Sequence, residues 1–134
     1  MKTKNLLPTV AIGISLALFS FSNTSDDNYT NSVDTIDIPE NIQAILSDKC
    51  IGCHSDESKA GKSKSKMNFD KLKNGEYSRG KVISKLDKIV KMLGKDKMPP
   101  EKFLTKYPGK KLTEEESKTL TDWASEQSSM MKGE

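Results

Sequence analysis

At 134 residues the chain has room for one domain and not for two. Twenty-two basic against nineteen acidic residues leave a formal charge of +3 at pH 7, too close to balance to point to nucleic acid. Two cysteines and one histidine exclude any site that needs more than three such donors.

The first 22 residues have the layout of a secretory signal. Lys2 and Lys4 form a positive n-region, Leu6 to Phe21 an apolar h-region, and Ser20-Phe21-Ser22 a small-x-small cleavage site. The 16-residue apolar run, broken by Pro8, falls short of the roughly 20 residues that span a bilayer. Cleavage and release into the periplasm are expected, with an inner-membrane anchor facing the periplasm as the alternative. No cysteine follows the h-region, which speaks against a lipid anchor. Loss of the segment removes two lysines and no acids, so +3 falls to +1. Distribution says more than net charge: residues 59–111 hold 17 Lys/Arg against 5 Asp/Glu.

Residues 23–37 are polar and aperiodic and are expected to be a flexible tether. A globular domain is expected over residues 38–127. Pro39 suits a first helical turn, and Glu40 suits the positive end of the dipole. Ile42, Ile45, Leu46 and Cys50 recur at helical spacing, which predicts a helix over 39–50.

Cys50-Ile51-Gly52-Cys53-His54 stands at the end of this helix. Cys-x-x-Cys-His is the attachment signature of a c-type haem. Its thiols bond the two porphyrin vinyl groups, and its imidazole ligates the iron from the same side. The motif uses both cysteines and the only histidine. In an oxidising compartment two cysteines suggest a disulfide, but this pair would close too small a loop to constrain a fold. A redox dithiol opens a helix, where the dipole lowers a thiol pKa; here the pair follows a helix end, and no strand–helix–strand pattern surrounds it. Structural zinc needs four ligands, and the chain offers three. One covalent haem c is therefore expected. Its porphyrin would also supply apolar core to a mature chain of about 112 residues that is poor in large apolar side chains.

Residues 55–66 carry four lysines and are expected to be a solvated loop, with a docking surface as the alternative. Met67 to Leu72 returns to apolar content, and Asn74-Gly75 is a turn. Arg79, the only arginine, is expected at the surface; the alternative is a fork onto a haem propionate. Val82, Ile83, Leu86, Ile89, Val90 and Leu93 make an apolar stripe, which predicts a second helix over 80–93. Lys81, Lys85, Lys88 and Lys91 lie opposite as solvated surface. Thr113 and Glu116 form a capping box for a third helix over about 113–127, with Leu120, Trp123 and Ala124 on one face. Residues 128–134 are expected to be a polar tail.

Low-spin haem iron takes two axial ligands. His54 is the only histidine, so a bis-histidine haem within one chain is excluded. A methionine thioether is the remaining soft donor and raises the reduction potential. The candidates are Met67, Met92, Met98, Met130 and Met131. Met92 falls inside the second helix, Met130 and Met131 in the tail, and Met67 only 13 residues beyond His54. Met98 stands 44 residues beyond His54 and is followed by Pro99-Pro100, which keeps it out of a helix and stiffens its loop. Met98 is the expected second ligand.

The order of helix, C-x-x-C-H, central helix, M-P-P loop and L-T-x-E-E helix ending in a Trp resembles the class I cytochrome c family. It is closest in kind to the small bacterial haem-binding-domain cytochromes. Cys50 to His54, Met67 to Leu72, Met98-Pro99-Pro100 and Leu112 to Trp123 carry the likeness. The resemblance implies an all-α, cytochrome c-like fold in which three main helices and their loops wrap one haem and the first and last helices pack crosswise. It implies His54 and Met98 as axial ligands and non-enzymatic electron transfer with redox partner proteins as the role. A haem-based ligand sensor, or an accessory haem domain of a larger redox enzyme, is the alternative. Class I cytochromes usually carry a downstream proline whose carbonyl orients the ligand imidazole; residues 55–98 contain no proline.

Overall fold

All regular elements among the described residues, 36–133 of a computed structural model, are helical, in agreement with the all-α expectation. The signal segment at 1–22 and residues 23–35 of the tether expected over 23–37 lie outside these residues; its last two residues are not free, because Ile36 is buried in the core and the Asp37 carbonyl is hydrogen-bonded. The helices are α1 Glu40–Lys49, α2 Ile51–His54, α3 Gly61–Lys66, α4 Phe69–Lys73, α5 Arg79–Leu93, α6 Glu101–Leu104 and α7 Glu114–Lys132, with a 3₁₀ turn at Pro108–Lys110.

α1 buries Ile42 and Leu46, as their spacing predicts. It closes on Cys50, whose N–H donates to Leu46 O at 2.9 Å. The chain then bends and restarts as α2, with Cys53 and His54 N–H both returning to Cys50 O at 3.1 Å. α7 starts on the expected capping box. Thr113 Oγ1 accepts from Glu116 N–H at 3.1 Å, and Glu116 Oε2 accepts from Thr113 N–H at 2.8 Å.

The largest helix pairing is α5 against α7; α1 also touches α7, but less extensively. Val82, Leu86 and Leu93 of α5 meet a face of α7 formed by Leu120, Trp123 and Ala124. The Trp123 indole N–H donates to Asp37 O at 2.9 Å, pinning the start of the described chain to the last helix. The crosswise first-and-last pairing implied by the resemblance is thus the lesser interface here.

Two segments depart from expectation. Residues 61–66, expected as loop, form α3 without burying any of its side chains. Lysine is a good helix former, and the turn is held from outside by Lys85 Nζ, which donates to Lys66 O. The expected polar tail is the end of α7. Ser128 is 2 % exposed and Met131 8 %. Ser128 Oγ donates to Asp87 Oδ1 of α5 at 2.6 Å, and Arg79 Nε donates to Met131 O at 2.8 Å. Gly133, at φ 80°, ends the helix in the left-handed region. The apolar stripe continues through a small polar residue, Ser128, so hydropathy alone ends it too early.

Deleting residues 128–134 removes the Met131 contact, worth about 1.5–3 kcal/mol, together with the bond from Ser128 to α5. The expected result is a clear fall in the urea midpoint of unfolding; an unchanged midpoint would mean that α7 needs only its first four turns or so.

Candidate functional site

The helices enclose a cleft of about 250 Å³. Leu46, Lys49, Cys50, Cys53 and His54 line one wall, from the end of α1 and α2. The α3–α4 junction adds Lys62, Ser63, Lys66, Met67 and Phe69. α5 presents Lys85, Lys88, Ile89, Met92 and Leu93, and the loop beyond it presents Met98, Pro99, Pro100 and Phe103. Leu112 and Leu120 complete the lining. The fold therefore brings Cys50, Cys53, His54 and Met98 to one cavity although 44 residues separate His54 from Met98.

Met67 and Met92 share that lining, whereas Met130 is exposed and Met131 is packed in the core away from it. Distance along the chain does not keep Met67 out, because α3 folds the intervening segment back on His54. Met67 also contributes its backbone to the site.

His54 Nδ1 lies 3.0 Å from Met67 O and 3.1 Å from Ser63 O. Carbonyl oxygens only accept, so this nitrogen carries the proton and Nε2 keeps its lone pair free for a metal. The edge of the Phe69 ring meets the imidazole, with centroids 6.2 Å apart and planes at 88°. The acceptor for the second ring nitrogen is thus a pair of main-chain carbonyls. No residue type signals such an acceptor in a sequence, and the missing proline carbonyl has a substitute.

The Cys50 thiol is pushed up to about 12, chiefly by burial and further by the neighbouring Cys53 and Glu116 charges. A thiol held this far above neutrality makes a poor redox thiolate, which weighs against a dithiol exchange centre. No cluster of three or more His, Cys, Asp and Glu placed to hold a metal ion is found among the described residues.

Five lysines and no aspartate or glutamate line the cleft. Lys85 and Lys88, expected on a solvated face, stand on its rim. The Lys85 ammonium is shifted down, mainly by burial and then by repulsion from Lys81 and Lys88. Arg79, the alternative propionate partner, is not in the lining; its Nε is bonded to the end of α7. An apolar slot with a purely cationic rim suits a flat apolar group carrying carboxylates. With an imidazole, two thiols and thioethers in the same slot, the donor set fits haem.

Ion pairs hold the wall that carries the motif to the loop leading into α7. Asp48 binds Lys110 at 2.5 Å and Lys49 at 2.9 Å, and Lys49 also donates to Gly109 O at 3.0 Å. Bonds from Lys110 first and Lys49 second lower the Asp48 carboxyl to about 2.

A family model described as a haem-binding domain matches residues 58–126. The match begins past His54, so it and the C-x-x-C-H run are separate observations on adjoining stretches. No curated protein and no solved structure matches the chain.

The clasp has a defined acid limit. The folded carboxyl of Asp48 sits at about 2 against an ordinary 3.8, so the unfolded chain binds its proton first. The contribution is complete above about pH 4 and is lost as the pH falls towards 2. Asp48→Asn should abolish this part of the acid transition and speed amide exchange at Gly109 and Lys110 at pH 6. Exchange rates equal to wild type would show that the ion pairs do not hold the loop.

Proposed function

The chain belongs to the haem-binding-domain family, and from that premise we propose that it is an exported monohaem c-type cytochrome that carries single electrons. Cys50 and Cys53 hold the haem as thioethers, and His54 Nε2 and the Met98 thioether take the two axial positions. Bound haem supplies a one-electron Fe(II)/Fe(III) couple, which a thioether ligand shifts upward.

The observation that carries this reading is the shared cleft, lined by the two thiols and the imidazole of one short turn together with Met98, and holding lysines but no carboxylate among its lining residues. Among the methionines in the lining, Met98 sits on a loop stiffened by two prolines, whereas Met92 lies within α5 and Met67 spends its carbonyl on His54. Leu46, Phe69, Ile89, Leu93 and Leu120 keep water from the slot. Lys62, Lys66, Lys85 and Lys88 line the cleft and would pair with the carboxylates of a bound haem, and the same lysines would steer an acidic redox partner. A haem held by both His54 and Met98 would offer substrate no coordination site, which supports electron transfer to partner proteins as the role.

The test is the mass and the absorption spectrum of protein matured in a host that attaches haem c. The wild type is expected to carry one haem that resists acid–acetone extraction, and Cys50→Ser with Cys53→Ser to lose that resistance. The oxidised wild type should show the weak far-red band of methionine-ligated iron, lost in Met98→Ala. A band kept in Met98→Ala and lost in Met67→Ala or Met92→Ala would move the ligand to that residue. Rapid CO binding to the reduced wild type would favour a ligand sensor instead.

A further inference from the structure

We propose that Asn68 is the positioning residue for the His54 imidazole, doing through a side-chain brace what no proline does in this chain. The inference rests on the haem reading, because a fixed imidazole matters only if Nε2 holds iron.

Asn68 is 1 % exposed, an unusual place for an amide side chain. Its side-chain polar groups are both used. Oδ1 accepts from Asp70 and Lys71 N–H at 3.0 and 3.1 Å, capping α4. Nδ2 donates to Asp56 Oδ1 at 2.8 Å. Its backbone oxygen accepts from Leu72 N–H at 3.2 Å.

Two of these bonds bear on the imidazole. The Asn68 N–H and the Met67 carbonyl belong to the same planar peptide group. The Oδ1 cap on α4 holds Asn68 in place and with it the plane of the carbonyl that lies 3.0 Å from His54 Nδ1. Asp56 lies two residues past His54. The Nδ2 bond thus ties the strand of chain leaving the imidazole to the strand that supplies its acceptor. Asp56 is itself held by its N–H to Asp70 Oδ2 at 2.8 Å and by Lys64 Nζ, which donates to its carbonyl at 2.8 Å. The brace keeps donor and acceptor in register from both sides.

A donor bond from the far ring nitrogen makes the imidazole more basic and orients it on the metal. A more basic ligand favours Fe(III). Slackening the brace should favour Fe(II).

The experiment compares Asn68→Ala and Asp56→Ala with wild type, all in the haem-loaded form, by redox titration and by proton NMR of the His54 Nδ1–H. The Fe(II)/Fe(III) ratio at a fixed potential is expected to rise in Asn68→Ala, by up to about tenfold, because the carbonyls stay but lose their aim. For a one-electron couple this is about 59 mV. Nδ1–H exchange should quicken in step. Asp56→Ala should act in the same direction, with the double variant less than additive, and Asp56→Asn should restore wild-type behaviour. Ser128→Ala, which loses the bond to Asp87 between α5 and α7 and removes no residue of the cleft lining, should lower stability and leave the potential unmoved. If Asn68→Ala does not fold, Asp56→Ala carries the test alone. Wild-type potential and exchange in the brace variants, whatever their stability, would overturn the proposal while leaving the haem reading intact. Absence of covalent haem in the wild type would overturn both.

Discussion

The bond from His54 Nδ1 to the carbonyls of Met67 and Ser63 is the constraint on which the cleft depends. It selects the ring tautomer, turns Nε2 towards the slot and makes residues 55–67 fold back over α2. Without that return, Met67 and Phe69 would not reach the lining and the lysines of α3 would not reach the rim. Lys85 completes the arrangement by reaching from α5 to the last carbonyl of α3. One imidazole proton thereby links the attachment motif, the basic segment and the central helix.

The α5–α7 pair is the rigid body against which this smaller assembly is built. Its packing uses the residues with the clearest helical spacing, from Val82 to Leu93 and from Leu120 to Met131. The motif wall is attached more lightly, by the buried face of α1 and the Asp48 ion pairs. Exposed pairs of this kind are individually weak. Their place at the junction of α1 and the loop before α7 ties the motif wall to the approach to the last helix.

The cleft has an uneven chemistry. Its lining is apolar in depth and cationic at the edge, with carboxylates kept out although the chain holds nineteen. Aspartates near it are turned to other work: Asp48 to the clasp, Asp56 and Asp70 to the brace around Asn68, Asp87 to the end of α7. Lysine at an alternating or helical spacing looks like plain solvation in a sequence. Here the same residues line one cleft, with Lys85 of α5 reaching the end of α3.

The amino-acid order by itself determined the all-α class, the three long helices, the capping box and the grouping of Cys50, Cys53 and His54. Each of these depends on neighbours within a turn or two, where helical period and cap chemistry are visible. Met98 was singled out by its local prolines, and its place in the lining of the same cleft as the motif was decided by the path of α5. Three things were decided only in the tertiary structure. The lysine-rich residues 61–66 became helix because distant Lys85 caps them. Residues 128–132 continued α7 because Ser128 found Asp87 across the interface. The acceptors of the His54 proton are main-chain carbonyls, a group every residue carries, so no residue type could announce them. Local periodicity is written in the side chains; the aim of a backbone carbonyl exists only after the chain has folded.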